Sequence, residues 1–198
     1  SSLVGSEMCI RDRFMGEIYE TLTIFESTGL LLRDFFISHD NCTLKAAYSA
    51  LDTNASVLTE QEWLEAEYDF NALFVGPQKL KAAPFASVYL EEDALVMGKS
   101  TLSIREFMAN IGLSISVVNN IPDDHISCVL ELAVLLSANA RASSEYQVTL
   151  TRYASEYVAV WVPEYIEKIN INAQTATLKN VAGRLSSWLD ELKTRVSI

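Results

Sequence analysis

The stretch ISCVLELAVLLSANA, from Ile126 to Ala140, is apolar on nearly every side. It falls short of the roughly 20 residues a bilayer span needs, and no run elsewhere in the chain is apolar for long enough. A helix with no face to give to solvent belongs at the centre of a helical domain, with the other elements wrapped around it. Glu131 is its one charged residue and shares a face with Asp124 and Cys128, at steps of four and three. A carboxylate inside a core needs a partner, so an internal pair is expected for Glu131.

Elements able to do the wrapping are present. Thr59-Glu60-Gln61-Glu62 has the form of a capping box. Trp63, Ala66, Phe70, Leu73 and Phe74 follow as one apolar stripe, with Glu65, Tyr68 and Asp69 facing elsewhere, and Gly76-Pro77 ends the helix. A helix starting near Ser100-Thr101 should turn Leu102, Phe107, Met108 and Ile111 inward and stop at Gly112. Ser143 or Ser144 should cap a helix carrying Leu150, Tyr153, Tyr157, Val160 and Trp161, with Pro163 opening a continuation. Leu178, Val181, Leu185, Trp188, Leu189, Leu192 and Val196 keep the cleanest helical period in the chain.

Nearer the start, Ile18, Tyr19, Leu22, Phe25, Leu31 and Phe35 predict helix, divided into two pieces at Gly29. His39-Asp40-Asn41 reads as a turn before a short helix over 44–51. Residues 113–118 alternate as a strand would, but in a helical chain they read as an extended connector. No sustained strand pairs occur. The fold class is therefore all-α, a single-domain helical bundle over 14–198. The opening SSLVGSEMCIRDR has no period and resembles translated adapter sequence, so 1–13 is read as a non-native or disordered tail.

A length of 198 residues suffices for one domain, and 49% apolar with 21% charged residues is a globular composition. The net charge of -11 speaks against nucleic acid and favours a basic partner, although acidity more often serves solubility. Cys9, Cys42 and Cys128 are odd in number and far apart, and His39 and His125 supply no close ligand pair. Reduced thiols in a cytoplasmic protein are expected, with no metal site and no cofactor.

Between Gly76 and Ser100 runs a long connection holding Pro84, Phe85 and Tyr89, then Glu91-Glu92-Asp93, which reads as a solvated loop. Long connections inside compact domains are usually functional or disordered, and the apolar content here argues against disorder. Downstream, Pro122-Asp123-Asp124-His125 opens the apolar helix, with one aspartate expected as its cap. A carboxylate beside an imidazole also has the composition of a tuned general base. No nucleophile motif, phosphate loop or metal spacing accompanies it, which weighs against an enzyme or a nucleotide-hydrolysing switch.

Taken in order, LFVGP, a proline-aromatic pair, SVYL, the Gly98-Lys99-Ser100-Thr101 turn and PDDH resemble the TorD/DmsD family of redox-enzyme maturation chaperones. The resemblance implies an all-helical cytoplasmic protein that binds the twin-arginine leader of a DMSO/TMAO-reductase-like molybdoenzyme subunit and delays export until cofactor is loaded. It implies Phe70, Leu73, Phe74, Pro84, Phe85, Tyr89, Ser100, Asp123, Asp124 and His125 as leader-binding residues. Carboxylates that read arginine are chemically sensible, because ionised oxygens accept paired bonds from a guanidinium. Periodicity alone places Phe70 and Leu73 in the core, whereas Phe85 and Tyr89 are better candidates for exposed apolar surface. The runner-up is a nitrate-reductase-type assembly chaperone or metal-delivery factor acting on the mature apoenzyme. A monomer is expected, with domain swapping open to a chain with long connections.

Overall fold

The computed structural model describes residues 10–11, 21–53, 55–92, 98–115 and 121–198. Helix α1 spans Ile24–Phe36 and α2 spans Asn41–Leu51. Helix α3, Glu60–Phe70, runs on as a π turn over Asn71–Val75. A short α4, Ser87–Leu90, and then α5, Lys99–Asn110, lead to α6, Ile126–Ala140. Helix α7, Ser144–Tyr153, continues through a π turn over Ala154–Val158 into α8, Val162–Asn172, and α9, Ala176–Val196. The described residues add one antiparallel ladder of two-residue strands, β1 Ile10–Arg11 against β2 Ser114–Ile115.

Local chemistry accounts for where the helices begin. Thr59 and Glu62 form the expected reciprocal cap, and Thr23 with Glu26 and Asp40 with Thr43 repeat it at α1 and α2. The centre is α6, as its composition requires: every residue from Ile126 to Ala138 is buried, and α1 and α7 pack against it. Its lone charge is paired as expected, Glu131 lying 3.5 Å from Arg33 of α1, which also bonds Asp34. About two turns along the interface, Glu26 accepts from Ser137 Oγ at 2.9 Å and meets Arg141 at 3.1 Å. The two interactions tie α1 to α6 in one register. All seven stripe residues of α9 are buried, and Trp188 stacks on Phe25 while its indole N–H donates to the Phe25 carbonyl.

Several expectations are corrected. Helix α1 runs unbroken through Gly29, whose missing side chain is what lets three helices meet: a Cβ there would stand 2.6 Å from Val134 Cγ2 and 3.0 Å from Trp188 Nε1. Leu102 is exposed, and Thr101 and Ile104 take its inward place on α5. The π turn in α7 moves the buried face on to Ala154 and Val158, leaving Val160 outside. Asp69 faces inward, where its Oδ2 accepts from the Gln174 N–H, the Thr175 N–H and Thr175 Oγ1, each at 2.8 Å. That carboxylate fastens α3 to the turn between α8 and α9. Residues Ile18 and Tyr19 lie outside the described residues, as do Cys9 and Asp93.

Gly29→Ala improves helix propensity by about 1 kcal/mol. It also drives a methyl into a β-branched side chain on a fully buried helix, and such overpacking costs about 1–3 kcal/mol. Net destabilisation is expected, larger in Gly29→Val, and urea unfolding would read it. An unchanged or raised midpoint for the alanine variant would mean that the helices can move apart freely.

Candidate functional site

The end of α3 sets the site. The π turn leaves Gly76 at φ 99°, a conformation that suits glycine, and the chain doubles back. Lys81 N–H donates to the Ala72 carbonyl and Ala82 N–H to that of Leu73, holding the returning strand of chain against the turn. Residues 84–87 then lie across the start of α6. Ile126 N–H donates to the Pro84 carbonyl at 2.8 Å, Ala86 N–H to the Asp124 carbonyl at 3.1 Å, and Ser87 N–H to Asp124 Oδ2 at 2.9 Å. Phe85 and His125 pair as an antiparallel bridge, and their rings meet nearly edge-on at 5.2 Å.

The expected aspartate cap is replaced by an imidazole. His125 is the N-cap of α6, and its Nδ1 accepts from the Ser127 N–H at 3.1 Å, with Ser127 Oγ at 2.7 Å. Accepting from an amide requires a free lone pair on Nδ1, which places the proton of the neutral ring on Nε2. Burial lowers the His125 pKa to about 3. With Ser127 fully buried and Nδ1 occupied, this serine–histidine pair is a helix cap and not a nucleophile with its base.

The two aspartates differ sharply. Asp124 is 0% exposed; Oδ2 is held by Ser87, and Oδ1 has no hydrogen-bond partner among the described residues. Asp123 points the other way, towards α5, where Arg105 donates from Nε to Oδ2 at 2.7 Å and from Nη2 to Oδ1 at 3.2 Å. That paired bond raises the Arg105 pKa. Glu91, read from sequence as part of a solvated loop, accepts from the Ser100 N–H at 2.7 Å, which lowers its pKa and satisfies the first turn of α5.

The sequence-predicted residues thus fall into three sets. Pro84, Phe85, Asp123, Asp124 and His125 come together at the head of α6. Tyr89 and Ser100 sit beyond them, and Phe70, Leu73 and Phe74 lie below in the core, where Phe74 meets Phe36 and Tyr165. Phe85 and Tyr89 are half-buried, less open than expected; Tyr89 packs on Trp161 and Tyr165, and burial raises its pKa. Beside Ser100 opens a cleft of about 220 Å³ floored by Ala86, Ile104 and Tyr157. The bond between Ser103 Oγ and Tyr157 OH, 3.1 Å, divides it from a larger cleft of about 440 Å³ between α5 and α7. Sequence reasoning missed Ser87, Glu91 and Arg105 as parts of this arrangement. A backbone amide, a distant helix start and a partner 18 residues away leave no periodic trace. Among the described residues no group of His, Cys, Asp and Glu is placed to hold a metal, and no helix is long and apolar enough to cross a membrane.

A family model described as nitrate reductase delta subunit matches residues 40–167, which include every candidate residue. The chain belongs to that family. Among its relatives, a DmsD Tat proofreading chaperone of Haemophilus influenzae is 28% identical over 151 residues, 76% of this chain and 68% of that one. Tat proofreading chaperone DmsD of Salmonella typhi is 38% identical over 69 residues, 35% of this chain and only 34% of that protein. Chaperone protein TorD of Aliivibrio fischeri is 28% identical over 120 residues, covering 58% and 56%. A solved structure from Archaeoglobus fulgidus, described as a redox enzyme maturation protein, shares the fold with a TM-score of 0.55 over 86% of this chain and 96% of that one, at 20% identity. The resemblance carried by LFVGP, SVYL and PDDH is met by these relatives.

For this delta-subunit family member, the buried imidazole makes a pH prediction. As pH falls below about 6.5 the unfolded chain protonates His125 first, whereas the folded chain resists down to about 3. The imidazole's contribution is therefore intact at neutral pH and is lost through that window. His125→Asn keeps a capping side chain without the titration. Unfolding free energies at pH 7 and at about pH 4.5 should show a smaller acid loss in the variant than in the wild type. Equal losses would place the ring in contact with water.

Proposed function

We propose that this protein is a cytoplasmic maturation chaperone that binds the twin-arginine leader of a molybdoenzyme subunit and delays its export until cofactor is loaded, without chemistry of its own. The observation that carries the reading is the Asp123 carboxylate at the α6 head, bonded to Arg105 of α5 and two residues from the His125 ring on which the half-buried Phe85 packs, with clefts opening along α5. A leader pairs an arginine doublet with an apolar stretch, and its reader needs acidic and apolar surface side by side. The net charge of -11 adds attraction for a basic segment. The names of the DmsD and TorD relatives support the same class. The family model's description, nitrate reductase delta subunit, keeps a second reading in view, a nitrate-reductase-type assembly chaperone or metal-delivery factor acting on the mature apoenzyme.

Calorimetric titration separates the readings. A synthetic twin-arginine leader should bind, and its affinity should fall as salt is raised. A leader with alanine for both arginines should bind at least about tenfold more weakly, because it brings no guanidinium to make paired bonds with a carboxylate. Equal binding of an unrelated basic amphipathic helix would reduce the site to a general acidic-apolar surface. Binding to leaderless apoenzyme, with none to the leader, would favour the assembly role.

A further inference from the structure

Asp123, Asp124 and His125 are adjacent in sequence, but only one of them can exchange partners at the surface. Asp124 is sealed and holds the 84–87 segment through Ser87, and His125 is spent as the α6 cap. Asp123 is only 5% exposed, yet what lies over it is a side chain that is itself 56% exposed, the guanidinium of Arg105. The fork of Arg105 meets both carboxylate oxygens, the arrangement by which a carboxylate recognises arginine in any ligand.

We infer that Arg105 is an internal stand-in for a ligand arginine, closing the Asp123 carboxylate in the free protein and giving it up when an arginine-bearing peptide arrives. The inference rests on the proposed leader-binding role and deepens it by naming the exchanged partner. A carboxylate left bare at this depth would be poorly hydrated, so the free protein needs a cation there. Supplying it from a side chain that is itself 56% exposed means that, as the pair opens, water can take up the released guanidinium while the incoming arginine takes up the carboxylate. The exchange also selects. A lone basic residue only replaces what Arg105 already supplies, whereas an arginine followed by an apolar segment gains contact with the surface beside it. A lysine, a compact point charge, cannot reproduce the two-point bond.

The test uses the full chain and a synthetic peptide bearing an arginine pair followed by an apolar stretch. Removing the competitor raises the fraction of molecules ready to bind, so Arg105→Ala should tighten the peptide about threefold to tenfold. Arg105→Lys, which keeps a cation near Asp123 if the alanine variant proves unstable, should tighten it by less. Asp123→Asn should weaken it to the level of the alanine-substituted peptide. In nitrogen-15-labelled wild type, the Arg105 Nε–H resonance, assigned by its loss in Arg105→Ala, should move to the position of a free arginine on saturation with unlabelled peptide. Wild-type binding with no gain or a loss in Arg105→Ala, or an Nε–H signal that stays in place in the complex, would overturn the exchange and leave leader binding standing. Absence of binding in both proteins would overturn the leader-binding reading and the exchange together.

Discussion

A helix buried on all sides must find partners inside the protein for the amide groups of its first turn, because water is not there to take them. In this chain the requirement falls on α6. Its Ile126 N–H goes to the Pro84 carbonyl and its Ser127 N–H to the His125 ring, while Val129 N–H closes the first intrahelical bond to the His125 carbonyl. The chain between α3 and α5 therefore does not merely pass the head of α6. It completes it. Phe85 and the two aspartates stand where they do because the core helix needs capping at that point, so fold and candidate site depend on the same few bonds.

The same helix explains the buried charges. An apolar cylinder packed by α1 and α7 could slide along its axis with little change in hydrophobic contact. Arg33 against Glu131 and Arg141 with Ser137 around Glu26 remove that freedom, because Arg33, Glu131 and Glu26 are buried and would be costly without their partners. Gly29 acts on the same interface by shape, admitting Val134 and the Trp188 edge to the backbone of α1. Charge fixes the register and the missing side chain fixes the spacing.

How much of this was readable from the chain follows from the range of each interaction. Stripes such as Leu178 to Val196 and the Thr59–Glu62 cap are set by residues within a turn or two, and they stand as read. The central place of α6 was legible because no other burial suits a segment apolar all round. What failed was decided by partners far along the chain. Asp69 looked solvent-facing because nothing near it announces Thr175, 106 residues away. Gly29 looked like a break because a helix–helix crossing cannot be seen from one helix. Glu91 does lie in the connection, as read, but its bond to the Ser100 amide was hidden because that partner belongs to the next helix. The motifs picked out residues of which Pro84, Phe85, Asp123, Asp124 and His125 meet at the head of α6, but not which partner each of them takes.

That division turns on a single step along the backbone. Successive residues in the turn before α6 point in different directions, so two neighbouring aspartates of identical chemistry meet opposite surroundings. Asp124 is directed inward to a backbone amide and behaves as structure. Asp123 is directed to a guanidinium on a neighbouring helix, that of Arg105, which is itself largely exposed. The inner carboxylate holds the segment that carries Phe85, and the other binds the Arg105 guanidinium of α5. Moving either aspartate to the other's position would cost the protein its segment or its charge at the rim. The pair is thus one carboxylate bonded to a backbone amide and one bonded to an exposed side chain, distinguished by partner rather than by chemistry.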